Sequence, residues 1–383
     1  MKNDDGKRQL ALVLGGGGAR AAYQAGVIHY MHDLAPDISF PVITGVSAGA
    51  INAAFLAGNS GLRGAEALMK CWSHINQDKV FEAESSMSFI RRVLPGNLFH
   101  NPVIQVNEGE AILNTQPLRQ YLSNQLPAKS DGSLPQITQN IDDGGLTALC
   151  ITTTSFTTGQ SVSWVQGRSI SEWERPNRVA HQGQITLDHV MASSSLPLLF
   201  PAVKLRGAWY GDGGIRLIAP LSPALHLGAT DIICISPKHM RTQSEASQRL
   251  VHGYPPAAQV MGIMLNATFL DAFDHDVQMA NRITKLALHT PKSERNGIRP
   301  VNTLLIQPSK DIGKLARGFD IKTRGVLRML TRGLGSGETL SPDWLSVILF
   351  DPGFIHQVLE LGYEDGWRYG DNIKRFIESS NNA

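Results

Sequence analysis

Apolar residues come in short blocks that glycines close. Leu10-Ala11-Leu12-Val13-Leu14 runs into Gly15-Gly16-Gly17-Gly18, and Phe40-Pro41-Val42-Ile43-Thr44 runs into Gly45-Val46-Ser47-Ala48-Gly49. Short apolar runs bounded by turn residues read as buried strands, here residues 9–14 and 40–44. Residues 18–34 set Ala22, Ala25, Val27, Ile28 and Met31 on one helical face. Residues 48–57 form a small-residue helix that can pack close to a sheet. Leu62, Ala65, Leu68, Trp72 and Ile75 mark another over 62–75. Strands alternating with helices predict an α/β fold, with a parallel sheet covered on both faces.

Residues 77–146 are rich in Pro, Asn, Gln and Gly, and predict one helix over 117–126 within a long connection. Strands are expected at 146–156, 161–166 and 231–236. Helices are expected at 187–195, 222–228, 256–281 and 353–379. Residues 238–254 are polar, and 341–350 read equally as core, lid or partner surface. No internal repeat or low-complexity linker divides the chain. One domain is expected, with a core over 8–236 and a helical C-terminal extension over 237–383.

Composition narrows the class. Of 383 residues, 42% are hydrophobic and 18% charged, as in an ordinary folded domain. A net charge of +2 gives no reason to expect nucleic acid. Three scattered cysteines form no disulfide framework. The polar N-terminus lacks a signal-peptide core, and no apolar run is long enough to span a bilayer. A cytoplasmic location is expected. Oligomeric state is not legible.

The chemistry lies in the two glycine turns. Gly45–Gly49 fits the G-x-S-x-G elbow, which lifts a serine onto a strained turn between strand and helix. The competing reading is that Ser47 only caps the helix at 48–57. Gly15–Gly18 offers bare backbone N–H groups at a helix start, a site for an anion. Gly16-x-Gly18-x-x-Ala21 also fits a dinucleotide fingerprint, which would make the chain a nucleotide-binding oxidoreductase domain. That reading needs an acid about 20 residues on, after the second strand. Asp33 and Asp37 both precede that strand. The elbow arrives on the second strand, too early for a standard α/β-hydrolase.

A serine nucleophile needs a base. His181, His189, His226 and His275 read as surface or satisfied core residues. Asp-Gly-Gly occurs twice. Asp143 sits in a polar turn, whereas Asp212 follows the apolar approach Ala208-Trp209-Tyr210. Apolar surroundings raise a carboxyl from its ordinary pKa of about 3.9 towards a useful base.

Taken in order, the motifs resemble the patatin-like phospholipase family. Gly15–Arg20 resembles its glycine-rich oxyanion motif, Gly45–Gly49 its elbow and Asp212-Gly213-Gly214 its Asp-Gly-Gly motif. Met191–Pro197 and Pro220–Ala224 resemble the segments flanking the catalytic Asp. Ala21 departs from the family, which often has glycine there. The resemblance covers residues 8–236. It implies a three-layer α/β/α fold with a mostly parallel sheet. It implies Ser47 and Asp212 as a catalytic dyad without histidine, and Gly16, Gly17 and Gly18 as the oxyanion hole, with Ala48 N–H helping at the substrate. Arg20 either brings positive charge to the substrate or pairs with a structural carboxylate. The implied activity is hydrolysis of carboxylic esters of phospholipids or lysophospholipids through an acyl-serine. A non-catalytic lipid-binding protein of the same fold is the alternative. No metal or cofactor is expected, since no His/Asp/Glu cluster has ligand spacing. Residues 314–332 carry Lys314, Arg317, Lys322, Arg324, Arg328 and Arg332 beside an apolar stripe. They read either as a helix lying on anionic lipid at the inner face of a membrane or as a core-packed helix with a solvated basic face.

Overall fold

The computed structural model describes residues 8–59, 61–83, 111–168, 170–247, 254–319 and 343–381. Its main sheet has ten strands: β1 (Leu10–Leu14), β2 (Val42–Val46), β3 (Ala148–Ser155), β4 (Ser161–Gly167), β5 (Glu174–Arg175), β6 (Arg178–Gln182), β7 (Val203–Leu205), β8 (Ala208–Asp212), β9 (Asp231–Ile235) and β10 (Asn302–Ile306). The order is β10-β9-β1-β2-β3-β4-β6-β5, with β8 paired to β3 and β7 to β8. From β10 to β3 every pairing is parallel. The helices are α1 (Ala22–Leu34), α2 (Ala48–Gly58), α3 (Gly61–Ser73), α4 (Gln116–Gln125), α5 (Pro135–Asp142), α6 (Leu187–Ser193), α7 (Ser222–His226), α8 (Gln243–Ala246), α9 (Ala257–Phe269), α10 (Asp271–His289), α11 (Ile312–Leu315), α12 (Asp343–Ile348), α13 (Pro352–Arg368) and α14 (Gly370–Asn381).

Strand alternation explains the three layers. Leu10, Leu12 and Leu14 of β1 enter a large apolar cluster with α1, α2, α3 and α13. Ala11 and Val13, on the opposite face, enter a smaller cluster with α7 and α10. Both faces are covered, as a parallel sheet requires.

One register relation positions the site. β2 ends with Val46 opposite Thr152. From Thr153 onward that same edge of β3 is taken by the antiparallel β8, with Asp212 opposite Thr153. The chain ends carrying Ser47 and Asp212 therefore meet where one strand leaves and the other enters.

Several elements differ from expectation. The helix expected over 18–34 opens with a 3-10 turn, Gly18–Ala21, before α1 begins. The helix expected over 256–281 is two, broken at Leu270, and that expected over 353–379 is broken at Tyr369. The region after residue 236 is not only helical, because β10 joins the sheet beside β9. The connection over 77–146 holds α5 as well as α4, and its residues 84–110 lie outside the described ones. Within the basic segment, Lys314 lies in α11 and Arg317 in the 3-10 turn after it, while 320–332 lie outside the described residues.

Candidate active site

The elbow is strained where a nucleophile would be. Ser47 has φ 58° and ψ −132°, a conformation rare for a residue with a side chain. Two close approaches hold it there. A Cβ on Gly45 would lie 2.4 Å from Gly49 O, and one on Gly49 would lie 2.4 Å from Leu14 O. The elbow is thus pressed against the glycine loop by backbone contact that only glycine permits.

Ser47 Oγ donates to Asp212 Oδ2 at 2.6 Å. The second carboxylate oxygen accepts from Gly214 N at 2.8 Å. Thr154 Oγ1 donates to Asp212 O, and Asp212 N donates to Ser195 O. Asp212 is fully buried. Burial pushes its carboxyl up to about 7, against the lowering pull of the hydrogen bonds from Ser47 and Gly214. Ser47 N donates to Ser193 Oγ at 3.0 Å, and that hydroxyl donates to Thr152 O. The Ser47 N–H is therefore engaged.

The glycine loop supplies candidates. Gly16 lies against Ser47: its missing Cβ would sit 2.9 Å from Ser47 Cβ. Gly17 and Gly18 have φ 150° and 56°. Gly18 and Ala48 line an apolar cavity together with Ser47. Ala48 is the first residue of α2, where an N–H has no intrahelical partner. The cavity is narrow, with a free volume of about 40 Å³, enough for a few water-sized groups. Its walls include Ile51, Trp72, Leu118, Leu122, Phe200 and Phe350. A smaller space beside it is lined by Ser47, Gly17, Gly18, Leu265 and Phe269.

Arg20 faces away from the cavity, towards α12. It is buried, and Nη2 donates to Asp343 Oδ1 at 2.8 Å and to Asp343 O at 2.7 Å. Nε donates to Ser346 Oγ and Nη1 to Asn266 Oδ1. It does not line the cavity. This is the pairing with a carboxylate that the sequence left open for Arg20 beside a role at the substrate.

A model of the family described as patatin-like phospholipase matches residues 12–225. The chain belongs to the patatin-like phospholipase family. Solved structures similar to it are distant. VipD from Legionella pneumophila is 13% identical with a TM-score of 0.37, covering 96% of this chain and 67% of that one. Human GIVD cytosolic phospholipase A2 with methyl gamma-linolenyl fluorophosphonate is 11% identical with a TM-score of 0.44, covering 97% and 59%. The type III effector ExoU is 12% identical with a TM-score of 0.32, covering 96% and 53%. The chain thus spans between 53% and 67% of the length of these proteins. No curated protein sequence matches it.

Other candidates fall into place around this family core. Among the described residues, no histidine lines either space at Ser47. His189 shares a capping box with Thr186, and burial holds its imidazole down at about 4. His226 stacks on Trp173. Asp143 is exposed at the end of α5, bonded by Gln139. The glycine loop packs closely on Ser47, Pro237 and Val347, which a Cβ on Gly16, Gly17 or Gly18 would meet at 2.9, 2.7 and 2.1 Å. Among the described residues, no three His, Cys, Asp or Glu side chains gather as metal ligands, and no helix is long and apolar enough to cross a membrane.

Sequence reasoning missed Ser193, Gln24 and Asn52. The last two are fully buried amides among the mostly apolar buried residues of α1 and α2, and that interruption was the available signal. It also left 341–350 undecided. Val347, Ile348 and Phe350 are cavity wall.

Proposed function

We propose that this protein is a lipid acyl hydrolase, cleaving carboxylic esters of phospholipids or lysophospholipids through Ser47, Asp212 and an acyl-serine intermediate. The observation that carries the reading is the 2.6 Å bond from a strained serine hydroxyl to a buried carboxylate, at the wall of an apolar cavity.

Asp212 takes the proton of Ser47 as Oγ attacks the ester carbonyl. Backbone N–H groups of Gly16, Gly17, Gly18 and Ala48 face the developing oxyanion. The tetrahedral intermediate collapses, and the alcohol leaves with the proton held by Asp212. Water then gives a proton to Asp212 and attacks the acyl-serine. The fatty acid departs and Ser47 regains its proton. A carboxyl with a pKa near 7 can accept and return that proton at neutral pH, which an ordinary aspartate does poorly. The apolar lining of the cavity suits a fatty-acyl chain.

Peripheral contact with a lipid surface fits the rim. No charged residue occurs from Ala257 to Phe269. The inner residues of α9, Leu265 and Phe269, reach the space at Ser47, while Ile263 and Met264 are exposed. Leu198, two residues after the cavity-lining Leu196, is exposed as well. The contact proposed here takes in α9 beside the basic residues 314–332.

The test is release of fatty acid from phosphatidylcholine and lysophosphatidylcholine vesicles. Wild-type protein should release it and Ser47→Ala should not. Equal release by both would set the reading aside.

A further inference from the structure

Behind the glycine loop lies a chain of buried hydrogen bonds that the reaction above does not use. Trp72 Nε1 donates to Asn52 Oδ1 at 2.7 Å. Asn52 Nδ2 donates to Gln24 Oε1 at 2.8 Å and to Ala21 O at 3.1 Å. Gln24 Nε2 donates to Gly15 O at 2.8 Å and to Ile235 O at 3.0 Å. Both amides are fully buried. Their orientation has one consistent solution. An indole N–H only donates, so Asn52 turns its oxygen to Trp72, and every following group is then correctly paired.

We infer that Gln24 and Asn52 are positioning residues that clamp the glycine loop and so aim its N–H groups at the oxyanion. The inference rests on the ester hydrolysis proposed above. The two anchored carbonyls, Gly15 and Ala21, bracket the loop. Gly15 O and Gly16 N–H belong to one planar trans peptide and point in opposite directions. Tying the oxygen to Gln24 therefore fixes the N–H of the residue that touches Ser47. Apolar side chains would fill α1 and α2 without the desolvation that two buried amides incur. Fully satisfied polar networks instead make a local geometry unique. Trp72 joins the clamp to the wall of the acyl cavity.

The test compares a soluble butyrate ester with its thionoester, in which sulfur replaces the carbonyl oxygen and accepts hydrogen bonds poorly. Wild-type protein should prefer the oxygen ester by about 100-fold or more in kcat/KM. Gln24→Met, close in shape but without the bonds, should lower that preference by about tenfold or more, with KM for the oxygen ester within about twofold. If Gln24→Met does not fold, Trp72→Phe keeps the cavity wall, removes one donor and should shift the ratio in the same direction. A rate that falls while the oxygen-to-sulfur preference stays constant would mean a structural role only and overturn the inference. So would a variant that keeps both rate and preference. Wild-type protein inert on both substrates would overturn the hydrolase reading and the clamp's role with it.

Discussion

Arg20, closing the glycine loop, forms a 2.8 Å ion pair with Asp343, 323 residues further along the chain. The pair draws α12 onto the loop until Val347 O occupies the place of a Cβ on Gly18, at 2.1 Å. The C-terminal third thereby completes the cavity around Ser47.

Removing Arg20 takes away a cation 2.8 Å from a buried carboxylate. Arg20→Met should destabilise the protein by about 3–5 kcal/mol, read by denaturant unfolding. Activity should fall with it, because the loop and the α12 wall lose their tie. Unchanged stability would mean that the pair is not what joins them.

Asp212 sets the expected pH dependence. Its folded carboxyl titrates at about 7, so kcat/KM should rise as pH climbs through neutrality and level off above it. The sign for stability is opposite. The folded state holds this proton more tightly than the unfolded chain, so stability falls between the ordinary carboxyl pKa of about 3.9 and the folded value. Asp212→Asn should therefore abolish turnover yet raise the melting temperature at pH 8, with a smaller gain at pH 5. A variant that melts lower at pH 8 would contradict the assignment of burial as the cause.

The cavity wall should select acyl length. Leu122 is buried and lines the space. Leu122→Phe should lower the long-chain to short-chain ratio of kcat/KM by about tenfold while sparing short esters. An unchanged ratio would direct the acyl chain elsewhere.

How much of this was legible in sequence depends on distance along the chain. Both strand–turn–helix units were visible, because the apolar run, the glycines and the following helix lie within a few residues of one another. The bond from Ser47 to Asp212 crosses 165 residues and leaves no mark in spacing, so only the apolar approach to Asp212 and the family motif pointed to it. Arg20 stayed ambiguous for the same reason, its partner being at the far end. Ser193 was passed over within a recognised segment, since nothing local shows that its hydroxyl meets Ser47 N. β10 escaped notice as a short strand whose pairing with β9 is its main support. Leu270, with φ −121° and ψ −33°, breaks what reads as one helix, and no proline or glycine announces it.

The exposed face of α9 offers a further check. Ile263→Glu with Met264→Glu should weaken flotation with phosphatidylcholine and phosphatidylglycerol vesicles and slow hydrolysis of vesicle lipid. Turnover of a soluble short ester should be unaffected. Equal losses on both substrates would argue against a lipid-facing role.

The most direct measurement is covalent labelling by a fluorophosphonate, with the modified residue found by mass spectrometry, in wild type, Ser47→Ala and Asp212→Asn. The account predicts modification of Ser47 in the wild type and none in either variant. Labelling that persists in Asp212→Asn, or a wild type that takes no label, would contradict it.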